Sequence, residues 1–311
     1  MSRRPRAFSR VRRRLLAALP LAALATRAAL AQRNAGPYVP TPWPIVDAML
    51  ALAGVHADDF LIDLGCGDGR LVITAARRFG ARGYGVDIDP ELVKLAQANA
   101  VEAGVAARVR FEERDLFETD IRAATVLTLY LLPHIVTDLV PRILEQMPAG
   151  ARVVSHDYAL APWPHDEEIA FDVPEKELVS GTTFTRLYRY VVPARIGGEW
   201  RLELPGAQPA RLSVRQRGWR ATAAVASERR TAEVDEIVIR GASVRILLPP
   251  VGPDGARTQL EGRLRGDTLE GDVVAPRGRG AWRAVRLQPP RGQPKPQERQ
   301  RKRLAAGGEP Q

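Results

Sequence analysis

The chain has 311 residues, 45% of them hydrophobic and 26% charged, which is enough for two domains with cores of their own. Its net charge of +10 suggests a nucleic-acid binder, but +9 of it falls in residues 1–33 and +4 in residues 289–311, leaving −3 for residues 34–288. The globular part therefore lacks the basic footprint of a phosphate-backbone binder, and one cysteine, Cys66, excludes a disulfide framework or a cysteine zinc site within one chain.

The N-terminus carries a basic stretch ending Arg12-Arg13-Arg14, an Ala/Leu-rich run over residues 15–30, and Ala29-Leu30-Ala31 ahead of Gln32. This is the layout of a secretion signal with an A-x-A cleavage site, so residues 1–33 are expected to be a signal peptide or membrane-anchor segment. The adjacent arginines also allow a twin-arginine signal. Such a leader implies an exported protein, or one held on the periplasmic side of the inner membrane with some membrane association. Pro20 and Arg27 interrupt the apolar run, so an uncleaved segment is a marginal anchor. The alternative is an Arg/Ala-rich extension on a cytoplasmic protein.

Residues 34–195 read as one α/β unit. Tyr38-Val39-Pro40-Thr41-Pro42-Trp43-Pro44 is an extended, proline-stiffened lead into an amphipathic helix with Ile45, Met49 and Leu52 on one face. Phe60-Leu61-Ile62-Asp63-Leu64 predicts a strand, and Gly65-Cys66-Gly67-Asp68-Gly69 a tight turn into a helix from Leu71. A dinucleotide fingerprint needs G-x-G-x-x-G; here Arg70 stands where its third glycine belongs, which disfavours nicotinamide or flavin. Tyr84-Gly85-Val86-Asp87 is a second strand ending in an acid about 20 residues on, the spacing at which a carboxylate meets ribose hydroxyls. Asp89-Pro90 reads as a helix cap with a first-turn proline. Residues 108–112 predict a third strand leading to Asp115, and residues 125–132 a strand buried on both faces. Pro141 is expected to kink the helix over residues 135–147. Residues 152–158 predict a fifth strand ending in His156-Asp157, followed by a final pair over residues 168–173 and 182–192.

Residues 196–288 change character. Eight short, mostly alternating runs separated by turns predict a small antiparallel all-β domain, a barrel or curled sandwich resembling a lipocalin-like module. It is expected to present substrate or to cup an apolar ligand. Residues 289–311, rich in proline, glutamine and basic residues, predict a disordered tail.

The strand, Asp-Leu-Gly-Cys-Gly-x-Gly turn and helix at residues 60–71 resemble the first motif of class I S-adenosylmethionine-dependent methyltransferases. With Tyr-Val-Pro-Thr-Pro ahead of that motif, residues 38–163 are similar to a small family whose eukaryotic members are membrane-anchored mitochondrial enzymes that methylate protein lysines. The resemblance implies a seven-stranded Rossmann-like sheet with a reversed last strand. It also implies S-adenosylmethionine as co-substrate, held by Asp63, Gly65, Cys66, Gly67, Gly69, Asp87 and Asp115, with Tyr38 and Thr41 folded over it. No metal is expected. Asp115 would accept the adenine amino group, or else serve a turn. His156 with Asp157 is the candidate base pair and Tyr130 the candidate orienting group; Tyr38, Trp43 and Tyr130 are aromatic faces for a cationic sulfonium. No Asn/Asp-Pro-Pro-Tyr follows residues 125–132, which moves weight from nucleic acid to a protein or small-molecule acceptor. Three functions stay open: methylation of protein lysine, methylation of a small metabolite, and an exported ligand-binding protein on a methyltransferase scaffold.

Overall fold

The computed structural model describes residues 38–228, 230–250, 255–276 and 278–288. The expected leader (1–33) and tail (289–311) lie outside the described residues. Among the described residues no helix is long and apolar enough to cross a membrane.

The first sheet contains β1 (Phe60–Leu64), β2 (Arg82–Asp87), β3 (Val109–Glu113), β4 (Val126–Leu129), β5 (Arg152–His156), β6 (Glu167–Asp172) and β7 (Phe184–Val191), in the order β3-β2-β1-β4-β5-β7-β6. β1 to β5 are parallel, and β7 runs antiparallel to β5 and β6. This is the Rossmann-like sheet with a reversed last strand expected from the sequence. The helices are α1 (Trp43–Ala53), α2 (Arg70–Phe79), α3 (Pro90–Glu102), α4 (Pro133–Gln146) and the short α5 (Pro174–Ser180). Helices on both faces explain why β4 is buried at all four positions. One core joins Ile45, Met49 and Leu50 of α1 to Val72 of α2, Val93 of α3 and Phe111 of β3; the other joins Val136, Leu139 and Ile143 of α4 to Val153 and Tyr190.

Local chemistry sets the helix starts. The Asp89 carboxylate accepts the Glu91 N–H at 2.8 Å and Pro90 opens α3, as the Asp-Pro pair predicts. Pro141 lies inside α4 without ending it. The carbonyl its ring leaves without an N–H belongs to Thr137, which is exposed and so open to water.

The second sheet has nine antiparallel strands, ordered β11-β10-β9-β8-β16-β15-β14-β13-β12. They are β8 (Gly198–Glu203), β9 (Ala210–Arg217), β10 (Arg220–Ala226), β11 (Thr231–Glu233), β12 (Glu236–Arg240), β13 (Ser243–Leu248), β14 (Thr258–Arg265), β15 (Thr268–Ala275) and β16 (Gly278–Gln288). The sequence predicted eight; the ninth is the three-residue β11, too short to show alternation. The sheet curls around Trp200, Leu212, Ile246, Leu260, Leu269 and Trp282 until β10 lies beside β12. Gly262 and Gly271 face each other across β14 and β15, and a Cβ on Gly271 would strike the Glu261 backbone. That bare pair lets the strands bend.

The curled sheet docks on the amino edge of the first sheet. The Gln216 side-chain amide accepts from the Ile196 N–H (2.7 Å) and Gly197 N–H (3.1 Å), and donates to the Ala194 and Gly218 carbonyls (both 2.9 Å). The Ala194 N–H donates to the Gly241 carbonyl, Arg195 donates to the Glu145 carbonyl at the end of α4, and Trp219 stacks on Trp163 at 6.5 Å.

Candidate active site

The sheet order reverses at β1, which has β2 on one side and β4 on the other, and open α/β sheets bind ligands outside the carboxyl ends of the strands at such a point. A cavity of about 310 Å³ lies there. Its lining includes Tyr38, Thr41, Asp63, Gly65, Cys66, Gly67, Asp87, Asp115 and Tyr130, so the structure gathers all but one of the expected cofactor residues around one hollow. Gly69 is the exception. It begins α2 in a left-handed conformation (φ 80°), and a Cβ there would run into Phe111 and Ala96, so it serves the packing of α2 against the sheet.

The glycine turn is held from within. Gly65 and Cys66 donate their N–H groups to the Val86 carbonyl (both 2.9 Å), Gly69 to the Cys66 carbonyl (2.9 Å), Gly67 to the Asp87 carboxylate (2.9 Å) and Arg70 to the Asp68 carboxylate (3.2 Å). The amides of the turn are thus engaged within it, and the cavity wall bears five carboxylates, Asp63, Asp68, Asp87, Asp89 and Asp115, against the two guanidinium groups of Arg70 and Arg114. A cationic ligand fits this wall and a pyrophosphate does not.

Asp63 ends β1 with 3% of its surface exposed, its carboxylate accepting the Thr128 hydroxyl at 2.7 Å. Burial pushes its pKa up to about 7, with the charges of Asp87 and Asp68 adding and the Thr128 hydrogen bond opposing. Asp87 ties the turn to β2: one oxygen takes the Gly67 N–H and the other the Asp89 N–H at 3.1 Å. Each oxygen keeps a lone pair, as contact with ribose hydroxyls requires. Asp115 takes the turn role that was the alternative to an adenine contact, and it also borders the hollow. It accepts the Phe117 N–H at 2.8 Å, capping the 3-10 turn Leu116–Glu118. Burial, with Asp63 nearby, pushes the Cys66 thiol far up, so it is present as a neutral thiol.

The lead segment does fold over the cavity, through a contact the sequence reading missed. The Arg70 guanidinium grips the Asp68 carboxylate (2.6 to 3.1 Å) and donates to the Thr41 carbonyl at 2.6 Å, while the Tyr38 ring lies so close to Gly67 that a Cβ there would collide with it. Trp43 is not part of the cavity wall; its ring lies 5.1 Å from the Arg70 guanidinium carbon, which occupies the face proposed for a sulfonium. The signal that could have exposed this clasp was Arg70 itself, a long cation inside a glycine turn.

The candidate catalytic residues separate. Tyr130 lines the cavity, half-buried, with burial foremost pushing its hydroxyl up to about 12, so it is a hydrogen-bond donor at neutral pH. His156 and Asp157 do not line it. His156 is fully buried behind Tyr130, and Asp157, held at φ 62°, pairs with buried Lys176 at 2.7 Å.

The residues therefore fit S-adenosylmethionine: a carboxylate wall for a cation, strand-end acids for the nucleoside, and a bare glycine turn for close approach. Comparison with known proteins agrees. Residues 63–167 match the model of the ANTKMT methyltransferase domain. A protein-lysine N-methyltransferase of Saccharolobus islandicus is 39% identical over 157 residues, covering 50% of this chain and 93% of that protein. The mouse adenine nucleotide translocase lysine N-methyltransferase is 36% identical over 104 residues, covering 33% of this chain and 45% of that protein. A solved structure of a Salinibacter ruber RNA methyltransferase with S-adenosyl-L-homocysteine is 50% identical, with a TM-score of 0.46, covering 51% of this chain and 96% of that one. The chain belongs to the S-adenosylmethionine-dependent methyltransferases of the ANTKMT domain family.

Proposed function

We propose that this methyltransferase acts on the side-chain amine of lysine in proteins. The observation that carries the reading is the acid-lined cavity bounded by Tyr130: carboxylates draw in cations, and both the co-substrate and a lysine side chain arrive as cations. Two relatives bear lysine N-methyltransferase names, which supports the same acceptor. Bound S-adenosylmethionine supplies a methyl group on a sulfonium, whose departure as a thioether needs no proton. The chain's own residues then position and desolvate. Orientation of the reacting groups can supply about 7 to 11 kcal/mol of the barrier. Lysine must first lose a proton, at a cost of roughly 4.6 kcal/mol between a pKa of about 10.4 and pH 7. The apolar surfaces of Tyr130, Leu131 and Leu116 offset that cost by desolvating the amine, against the carboxylates of the same cavity, which favour the ammonium.

The test is transfer of labelled methyl from S-adenosylmethionine to a cell extract by the full chain, followed by separation of protein, RNA and low-mass fractions. Label in protein, released by hydrolysis as methyllysine, is the expected result. Label confined to RNA or to low-mass compounds overturns the lysine reading and leaves the methyltransferase standing.

A further inference from the structure

The carboxyl edge of the first sheet continues past the cavity. In the strand order, Asp87 of β2 and Asp63 of β1 come first, Tyr130 follows β4, Asp157 follows β5, and Phe184 opens β7, which runs antiparallel to β5 and so begins at this edge. Asp87, Asp63 and Tyr130 line the cavity, which leaves the β5–β7 side for the approach of an acceptor. β7 stands two strand spacings from β4, roughly 10 Å, a width that about three residues of extended chain span.

The segment on that side is clamped. α5 lies between β6 and β7, and its buried Lys176 contacts the Asp157 carboxylate at 2.7 and 2.8 Å and donates as well to the Phe184 carbonyl. The Val173 N–H donates to the Thr183 carbonyl at 2.8 Å and the Asp172 carboxylate accepts the Thr183 hydroxyl at 2.7 Å, closing the segment at its base. Removing one partner of a buried ion pair is strongly destabilising, so the Lys176 contact holds α5 in one place. Asp157 is also close enough to Tyr130 for its charge to act on the tyrosine hydroxyl, which sets the clamp beside the cavity wall.

What the clamped segment exposes is apolar and acidic. Leu178 stands two positions after Lys176, on the far side of the helix, and at 90% exposure is the most exposed large apolar side chain among the described residues. Phe184 is 45% exposed. Glu175 and Glu177 are exposed, and neither has an ion-pair partner among the described residues. One cation borders them, Arg186, whose guanidinium carbon lies 5.3 Å from the Phe184 ring centroid and which pairs with Glu168 at 3.7 Å. Single exposed apolar side chains are ordinary; two on one clamped segment beside the acceptor's approach are not. Residues 34–195 carry 23 acidic and 15 basic residues, so this face repels an anionic surface such as acidic lipid and attracts a cationic one.

We propose that Leu178 and Phe184, with Glu175 and Glu177, form a docking lip for the substrate chain on either side of the target lysine, and that this partner is a protein segment in which apolar side chains alternate with arginine or lysine. The proposal rests on the lysine reading above and names the kind of segment in which that lysine stands. The segment's apolar residues cover Leu178 and Phe184, its cations face the two glutamates, and its lysine extends past Asp157 to Tyr130. The lip touches neither the co-substrate nor the reacting nitrogen, so it sets KM and leaves kcat to the cavity.

Two measurements test it. The first follows the Leu178 methyl signals of the full chain, saturated with S-adenosyl-L-homocysteine, as a synthetic peptide with one lysine flanked on both sides by leucine and arginine is added. The lip requires a saturable shift at Leu178 and none at Leu144, which lies at the amino edge beside Gly218. A counterpart peptide with glutamate in place of arginine should bind at least tenfold more weakly. No shift at Leu178, or equal binding of the two peptides, overturns the lip. The second is Leu178→Ser combined with Phe184→Ser, which removes the apolar surface. The Kd of the arginine peptide and its KM as a substrate should rise at least tenfold, with kcat and S-adenosyl-L-homocysteine affinity within twofold of wild type. Glu175→Lys with Glu177→Lys should also weaken the peptide, an effect that fades near 1 M salt, where charges are screened beyond about 3 Å. Unchanged peptide affinity in both variants refutes the lip. Should wild type label no lysine at all, the lysine reading fails by itself and the Leu178 titration decides the lip alone.

Discussion

The two ends of β1 carry buried aspartates in opposite circumstances. Asp59, just before the strand at the amino edge, is 1% exposed and fully engaged: it accepts the His56 N–H (2.8 Å) and the Thr125 hydroxyl (2.6 Å), and pairs with Arg152. Asp63, four residues later at the carboxyl edge, is 3% exposed and has a single hydroxyl for company. The same side chain is satisfied at one end and desolvated at the other. The edges differ throughout in this way. The amino edge closes its polar groups with Arg152 and receives the curled sheet through Gln216, whereas the carboxyl edge gathers like charges around a cavity, holds Asp157 at φ 62° and leaves His156 without a hydrogen bond among the described residues. Unspent polarity marks the end that does chemistry.

The largest effect is expected at Asp63. A carboxylate whose folded pKa is raised to about 7 binds its proton more tightly folded than unfolded, so its presence costs nothing at low pH and costs progressively more as pH rises from 3.8 through 7. Asp63→Asn keeps the shape and removes the ionisation. It should raise stability at pH 8 by up to about 4 kcal/mol, with no gain near pH 3, while weakening S-adenosylmethionine binding and turnover at least 100-fold. Chemical denaturation at the two pH values and calorimetric titration with the co-substrate check both halves. A variant that loses stability at pH 8 would mean that Asp63 is a structural residue like Asp59.

Asp59→Asn probes the opposite case. It leaves Arg152, whose side chain is 19% exposed, without its counter-charge, and should destabilise the fold by about 3 kcal/mol. Turnover by the molecules that remain folded should stay unchanged. A selective loss of kcat at a temperature where the circular dichroism is native would break the contrast between the edges.

How much of this could be read in the sequence depended on how local the cause was. Asp63, Gly65, Gly67 and Asp87 lie within one strand-turn-helix and the strand after it, so spacing alone placed them around one site. Asp59 and Arg152 are partners across 93 positions, and nothing in either neighbourhood announces the pair. His156 was legible as a strand-end histidine near the substrate side, but its isolation depends on Lys176 drawing Asp157 away, a contact made only once α5 folds back. The alternation in residues 196–288 fixed antiparallel strands and a core. It left barrel and sandwich unresolved because the curl depends on Gly262 meeting Gly271 in register, a cross-strand match that no single run contains. The appendage was expected to present substrate or to cup an apolar ligand; its contacts with the first sheet lie on the amino edge, where Trp219 stacks on Trp163 and a Cβ on Gly241 or Gly218 would meet Gly150 or Leu144.

That placement gives the smallest and most specific prediction. The Gln216 amide closes four backbone groups of the junction, so Gln216→Ala leaves the Ile196 and Gly197 N–H groups and the Ala194 carbonyl to find water or go unpaired. Ile196 and Ala194 are buried, and the expected cost is about 2 kcal/mol. Because the junction is at the edge away from the cavity, the loss should appear as faster amide exchange at residues 194–197 and earlier melting of the curled sheet, with co-substrate affinity within twofold of wild type. Coupled loss of S-adenosylmethionine binding in this variant would show that the curled sheet shapes the cavity from the far edge. In that case the separation between a satisfied edge and a reactive one would be a property of the intact pair of sheets and not of the seven-stranded sheet by itself.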